Sequence, residues 1–498
     1  MTKFSENMFS DILRGDSTRP LSAQKAPQAR WATVSEMQQS TELAFDPAKP
    51  GRKVLIGALD QHLIAVDDDR HIMTVAGSRA GKSVGLVSSL LFYAGSIFAT
   101  DPKGELARLT ASRRSGMGQR IHVVDPFGVA GPNIRKWRSS YNPIHVLTPD
   151  SLTLIEDAAL IAESIVVRDS AQKEPHWDDS ACNFIEGVIV HVATAPQYEP
   201  CRNLITVRRL LASALKADTL YAEMVENAED LKAEASTIDI GEYLQGAAED
   251  FFGKTGNELS GVQSTVQRHT RFLDYRAFRS VMKQSDFTLR DLKADPKGVS
   301  LYLCFPATRA EISKRWMRIF VNQLLEAMER EPAKPAAPVL ACLDEFPVLG
   351  HMKQLETATA LMASFDVKLW TILQDWNQGK ALYGERWETF VGNAGTVQFF
   401  GNTDLTTTKY ISERLGRTPV EVARTGDVGP REREAGKLGR SESIELYPLL
   451  TPDEASRLFA RDDRLKRQLI FRAGKHPMIA QRVEYYAVNG PLARHVPR

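Results

Sequence analysis

The 498-residue chain is short of several things that would place it at once, and each shortage removes a class of protein. It has 4 cysteines (Cys182, Cys201, Cys304 and Cys342), with no C-x-x-C pair and no histidine at zinc-site spacing. That excludes a disulfide-stapled scaffold and a structural zinc site. Cys304 and Cys342 sit inside apolar runs and read as small core residues of a protein from a reducing compartment. No stretch approaches the roughly eighteen apolar residues that a membrane helix needs, and the N-terminus, MTKFSENMFSDILRG, has no apolar signal-peptide core. The expectation is a cytoplasmic protein that meets a membrane only through a partner. Charge of one sign is also missing: Lys+Arg 63 against Asp+Glu 62 means that any nucleic-acid surface has to be local.

What is present is organised around His71 to Lys103, HIMTVAGSRAGKSVGLVSSLLFYAGSIFATDPK. An apolar run, Ile72 to Val75, enters a small-residue turn that ends in Gly81-Lys82-Ser83. A helical run follows, and a second apolar run, Ile97 to Thr100, stops at Asp101. This is strand, loop, helix, strand, the arrangement that cradles phosphates. Backbone N–H groups of Gly77, Ser78, Arg79, Ala80, Gly81, Lys82, Ser83 and Val84 would face the phosphates. Lys82 would reach the terminal phosphates and Ser83 would ligate Mg²⁺. One position departs from the pattern G-x-x-x-x-G-K-[ST]: the first glycine is replaced by Ala76, followed by Gly77. Alone, the match is also compatible with an ordinary strand–turn–helix.

The rest of the chain supports the nucleotide reading. Val54–Gly57 and His62–Val66 look like a hairpin. Seven unalternated apolar runs then recur, at 72–76, 97–100, 121–124, 299–305, 339–343, 369–373 and 397–400. Such runs suit a mostly parallel sheet covered on both faces, an α/β fold with polar residues gathered at the carboxyl ends of its strands. Ile312, Trp316, Phe320, Leu324 and Met328 mark a buried helical stripe. Between the third and fourth runs the texture turns helical, over 152–165, 178–195, 204–215, 219–235, 241–252 and 258–274. The expected organisation is an extended arm (1–50), a nucleotide-binding domain in two parts (51–145 and 299–498) and an inserted all-α domain (146–298). Residues 421–445, charged and without apolar period, read as a mobile loop.

Two more strand ends carry chemistry. The run Val339–Leu343 stops at Asp344-Glu345, where the aspartate can hold the Mg²⁺ shell and the next glutamate can orient or deprotonate an attacking water. A glutamate there favours hydrolysis over phosphoryl transfer to a bound hydroxyl. Gln374 ends the neighbouring run, where its amide can reach both the γ-phosphate and the water; the plainer reading is a solvated strand end. Asp101 could help to organise the Mg²⁺ site or could simply cap the helix after it. From Arg268 to Arg290 six cations interleave with Phe272, Tyr275 and Phe278, which suits a single nucleic-acid strand or, more plainly, a helix pair with aromatics inside and arginines in water. Trp177-Asp178-Asp179 reads as a helix start with a packed tryptophan.

Taken in order, ARWAT, TVAGSRAGKSVG, ATDPKGELARLT, VVDPFG, SYNPI, WDDSA, LACLDEFPVLG, LWTILQDWNQ and LLTPDEASRL resemble the type IV secretion coupling proteins, the TraG-like conjugative DNA-transfer ATPases. The resemblance covers about 30 to 485. It implies a RecA-like P-loop domain with an inserted all-α domain, ATP and Mg²⁺ as cofactors, and a hexameric ring. It implies the task of delivering relaxase-bound single-stranded DNA or secreted effector proteins to a type IV channel at the inner membrane. Lys82, Ser83, Asp344, Glu345 and Gln374 fall on that family's phosphate, magnesium, water and sensor positions. The family usually begins with transmembrane helices, and this chain begins near where they would end. The family also tends to carry an arginine ahead of the glutamine strand, and here no arginine lies between 354 and 370. Arg386, Arg414 and Arg417 are the substitutes in view. The readings that compete are a substrate-docking adaptor with little ATPase activity and an FtsK-like DNA pump.

Overall fold

The hairpin expected at the start is β1 (Val54–Leu59) paired antiparallel with β2 (His62–Val66). Each of the seven apolar runs is then a strand: β3 (His71–Ala76), β4 (Ile97–Asp101), β5 (Arg120–Val124), β6 (Val299–Cys304), β7 (Val339–Leu343), β8 (Val367–Leu373) and β9 (Ala394–Phe400). All but β5 are buried along their whole length, which is why their sequences do not alternate. The computed structural model describes residues 29–168, 175–214, 219–425 and 440–495.

The chain packs as two compact units, Met1–Tyr93 with Thr371–Arg498, and Ala94–Trp370. This partition cuts the expected nucleotide-binding domain rather than separating it from the helical insert. In the first unit the strand order is β2-β1-β13-β12-β9-β3, where β12 is Arg467–Arg472 and β13 is Met478–Gln481. There β3 and β9 are parallel and the other neighbours antiparallel. The last two strands escape a reading of apolar runs because Arg467, Gln468 and Arg472 break the first and the second is short. In the second unit the order β7-β4-β6-β5 is parallel throughout. The chain passes from one unit to the other within β8.

Between β5 and β6 the second unit is helical, as expected: Leu154–Ile165, Pro175–Thr194, Leu204–Ser213, Thr219–Lys232, Ile238–Phe252 and Gly256–Thr270. Its neck is stitched. Tyr141 N donates to Val281 O at 2.8 Å, Asp286 N to Ser140 O at 3.1 Å, and Ser140 N back to the Asp286 carboxylate at 2.7 Å. The long helix Ala310–Arg330 buries Trp316, Phe320, Leu324 and Met328, while Ile312 at its start is exposed. It is tied to Leu154–Ile165 by a two-pronged Arg330–Asp157 pair at 2.7 and 2.8 Å and by Asn322 Nδ2 donating to Ser164 Oγ.

Two expectations need correction. Residues 29–50 are not an arm throughout: Thr33 and Glu36 form a reciprocal capping box that starts the helix Val34–Gln39, and Met37 buries it. Within 421–445, the ends are strand rather than loop, since β10 (Arg417–Thr425) pairs antiparallel with β11 (Arg440–Pro448). Val420 and Val422 on one side, Ile444 and Leu446 on the other, carry a period of two that the charged residues between them conceal. Residues 1–28 of the arm and 426–439 of the loop lie outside the described residues. All four cysteines are free, and Cys304 and Cys342 are buried as expected.

Candidate nucleotide site

In the first unit, β3 delivers the chain into the turn Gly77–Gly81 and the helix Lys82–Leu90 leaves it. Gly81 has φ +100° and provides no side-chain cap, so the first-turn N–H groups of the helix have no capping oxygen from that residue. An uncapped helix start behind a glycine is what an anion needs, and the residues present therefore fit a phosphate chain. Lys82 Nζ lies 3.1 Å from the carbonyl oxygen of Ala76, folded back over its own loop, and Ser83 is half-buried beside it. Arg79, at the exposed tip, has φ +58°, a left-handed conformation that favours glycine.

The replaced glycine is explained by the packing. Ala76 is still strand, fully buried with Ala80 and Phe400, and its methyl group has a place in that cluster. The position that refuses a side chain is Gly77, where a Cβ would lie 1.9 Å from the carbonyl oxygen of Gly401. The loop thus rests on the turn after β9, through Gly77 N donating to Phe400 O at 3.1 Å. Sequence reasoning missed Arg482, beyond β13: its Nη1 donates to Ala80 O at 2.7 Å and its guanidinium sits 5.4 Å from the Phe400 ring centre. No signal short of the structure links positions so far apart.

Gln374 is at the carboxyl end of β8, beside β3, and is half-buried. Its backbone N donates to Gln378 Oε1 at 2.9 Å, and its carbonyl accepts from Asn402 Nδ2 at 3.3 Å. Those bonds fix its backbone at the strand end. Of the substitute arginines, Arg414 is held inside this unit: Nη1 donates to Tyr410 OH at 3.1 Å and the guanidinium lies 4.5 Å from the Phe471 ring centre.

In the second unit, β7 ends at Asp344 and Glu345. Asp344 is 8% exposed, and its Oδ1 accepts from Glu345 N at 3.0 Å while Thr100 Oγ1 donates to its carbonyl at 2.8 Å. Glu345 has φ +53° and ψ 44°. A left-handed glutamate costs roughly 1–2 kcal/mol and persists only where its surroundings impose it. The surroundings include a second residue missed from the sequence, Arg318, which donates to Leu349 O at 3.0 Å and His351 O at 2.7 Å and so holds the turn after Glu345.

Asp101 ends β4 and is 2% exposed. Its Oδ1 accepts from Glu105 N and its Oδ2 from Ala107 N, both at 2.9 Å, so the carboxylate caps the helix Glu105–Gly116. Burial pushes its pKa up to about 6, against the pull of those N–H groups. The geometry favours the cap over a metal role. Among the described residues no group of three or more His, Cys, Asp or Glu could hold a metal. A Mg²⁺ ion would have to draw most of its oxygen shell from nucleotide and water.

In the Arg268–Arg290 stretch the phenylalanines pack inward, as the plainer of its two readings expects. Phe272 and Phe278 are buried and meet edge to face at 5.9 Å. Asp178, 1% exposed, takes Arg268 and His269 at 3.0 Å each, and Trp177 packs on Gly261. Among the described residues no helix is long and apolar enough to cross a membrane.

A family model described as type IV secretory system conjugative DNA transfer matches residues 30–495. Conjugal transfer protein TraG of Escherichia coli is 27% identical over 417 residues, covering 80% of this chain and 63% of TraG. Protein VirD4 of Rhizobium radiobacter is 25% identical over 475 residues, covering 92% of this chain and 64% of VirD4. The chain therefore spans slightly under two thirds of the length of these relatives. The structure of the plasmid coupling protein TrwB in complex with ADP and Mg²⁺ superposes with a TM-score of 0.60 at 15% identity, over 92% of this chain and 96% of that one. That likeness is one of fold, the α/β RecA-like P-loop architecture.

Proposed function

From the premise that this chain belongs to the type IV secretory system conjugative DNA-transfer family, we propose that it is a Mg-ATP-hydrolysing coupling protein. It receives relaxase-bound single-stranded DNA or secreted proteins and drives them into a type IV channel from the cytoplasmic face of the inner membrane, working as a ring of subunits, most simply six. The observation that carries the reading is the pair of motifs at strand ends: Gly81-Lys82-Ser83 opening an uncapped helix, and Asp344-Glu345 with the glutamate held left-handed.

Bound Mg-ATP supplies a phosphate bond whose hydrolysis releases free energy. The loop N–H groups of 77–84 orient the phosphates, and Lys82 exchanges the Ala76 carbonyl for their negative charge. Ser83 and Asp344 would hold the metal. Glu345 accepts a proton from the attacking water, and Gln374 senses the state of the terminal phosphate and passes it to the segment that Gln378 and Asn402 tie to it. The nucleotide-binding part would be 51–145 with 299–498, and the helical insert 146–298 would face the substrate.

The test is ATP turnover of the whole chain with and without single-stranded DNA. Lys82→Ala and Glu345→Gln should each lower it by about a hundredfold or more. Turnover that both substitutions leave intact overturns the mechanism. The adaptor reading gains only if the native chain shows no turnover while still capturing protein substrates.

A further inference from the structure

The segment between the helix Gly256–Thr270 and β6 sorts its side chains by character. Phe272, Phe278, Met282 and Phe287 are buried. Arg271, Arg276, Arg279, Lys283 and Arg290 are exposed. None of these five side chains makes an ion pair or a hydrogen bond among the described residues. The two acids of the same stretch are engaged elsewhere. Asp274 accepts from Arg208 at 2.6 and 2.9 Å, and Asp286 accepts from the backbone N of Ser140 at 2.7 Å.

Other arginines of the second unit are paired: Arg208 has Asp274, Arg268 has Asp178 and Arg330 has Asp157. In a chain whose formal net charge is +1, five uncompensated cations within twenty positions form a local positive potential suited to a polyanion. The aromatic rings that would stack on bases are inside the core, and Tyr275, 38% exposed, is the one ring of the stretch at the surface. An anionic membrane surface is the poorer fit, because the strip offers no set of exposed apolar side chains to insert among lipids.

We infer that the strip from Arg271 to Arg290 is a docking track for single-stranded nucleic acid that grips the phosphodiester backbone and leaves the bases unread. The inference rests on the coupling-protein reading and adds to it how the strand is held. Charge without stacking gives binding that is insensitive to base and steeply dependent on salt.

The experiment is fluorescence anisotropy of the whole chain, free of nucleotide, with labelled oligo-dT, oligo-dA and mixed-sequence strands at several salt concentrations. The expected result is similar affinity for all three strands. The triple variant Arg276→Gln, Arg279→Gln, Lys283→Gln should bind about tenfold or more weakly, with a log–log salt slope shallower by about 2, and its DNA-free ATP turnover should be unchanged. Tyr275→Ala should bind like the parent. An unchanged slope in the triple variant, strong base preference abolished by Tyr275→Ala, or loss of an acidic protein partner with DNA binding intact would each overturn the track. Because binding is read without nucleotide, its failure is separate from failure of the motor: turnover that survives Lys82→Ala removes the motor and leaves the track standing.

Discussion

Arg482 donates to the carbonyl oxygen of Ala80 at 2.7 Å, so the turn after β3 is braced by a residue 402 positions further along the chain. The same guanidinium reaches the carbonyls of Lys466, Ala460 and Arg461 at 3.3 Å each. A lysine there is a point charge that cannot serve several carbonyls in one plane. Arg482→Lys should therefore weaken binding of a non-hydrolysable ATP analogue by about tenfold or more, measured by calorimetry, with the circular dichroism spectrum retained. Unchanged affinity would show that the loop holds its shape without the brace.

The two positions at the start of the loop should respond in opposite ways. Gly77→Ala drives a methyl group into the Gly401 carbonyl and should abolish nucleotide binding. Ala76→Gly restores the commoner motif but empties a place against Ala80 and Phe400, so binding should persist while stability falls by about 1 kcal/mol in urea unfolding. The reverse order would refute the packing account of Ala76.

The strained backbone of Glu345 can be separated from its carboxylate. Glu345→Gly and Glu345→Ala both remove the base and should both lose turnover. The glycine variant accepts φ +53° without penalty, so it should be more stable than the alanine variant by about 1 kcal/mol. Equal stabilities would mean that the turn relaxes when the carboxylate is gone.

Asp101 offers a comparison with Asp344. Asp101→Asn keeps one acceptor for the helix cap and should cost about 1 kcal/mol of stability, while leaving the Mg²⁺ dependence of nucleotide binding unaltered. Asp344→Asn should weaken that dependence and barely move the melting temperature. A shift in Mg²⁺ dependence for Asp101→Asn would return it to the metal site.

Acid sensitivity should come from the helical region. Burial lowers the pKa of His269 to about 4, with the cations of Arg315 and Arg268 pushing the same way and the Asp178 carboxylate opposing. The unfolded chain binds that proton near 6.5 and the folded chain does not, so stability is full above that pH and declines as pH falls toward 4. His191, also lowered to about 4 by burial, adds the same dependence. Asp101, raised to about 6, adds stability as pH falls over the same range and offsets part of this loss. Melting temperatures from neutral pH to about 4.5 should therefore fall modestly, and His269→Gln should flatten most of that slope. A slope indifferent to His269→Gln would place the acid sensitivity elsewhere.

The elements legible in the sequence were those written as local pattern. The seven buried strands show as apolar runs because burial on both faces removes alternation. Asp344 and Gln374 are found because each follows such a run directly, and Lys82 and Ser83 because they end the small-residue turn after one. What stayed hidden depends on contacts between distant positions or on backbone shape. Nothing near Arg482 or Arg318 marks them as supports for the two motifs, since each acts on carbonyl groups whose identity carries no side-chain signal. The tolerance at Ala76 lies in the proximity of Gly401 to Gly77. The alternation of Arg268–Arg290 was visible, but which of its residues face inward required the core that Phe278 shares with Phe127 and Phe272. The ribbon of β10 and β11 was masked by charge, and the helix Val34–Gln39 by its brevity.

The stitched neck at Ser140–Tyr141 and Val281–Asp286 makes the helical excursion a tied-off ring of chain. A ring closed at its base charges little extra for its circumference, because closure entropy grows only with the logarithm of length. Helices inside it can therefore be lengthened, shortened or exchanged over evolutionary time without disturbing the register of β5 against β6. The helical region can diverge quickly while the sheet stands still. A chimera that grafts a foreign helical region between those two hydrogen-bonded points should leave β5 and β6 paired as they are.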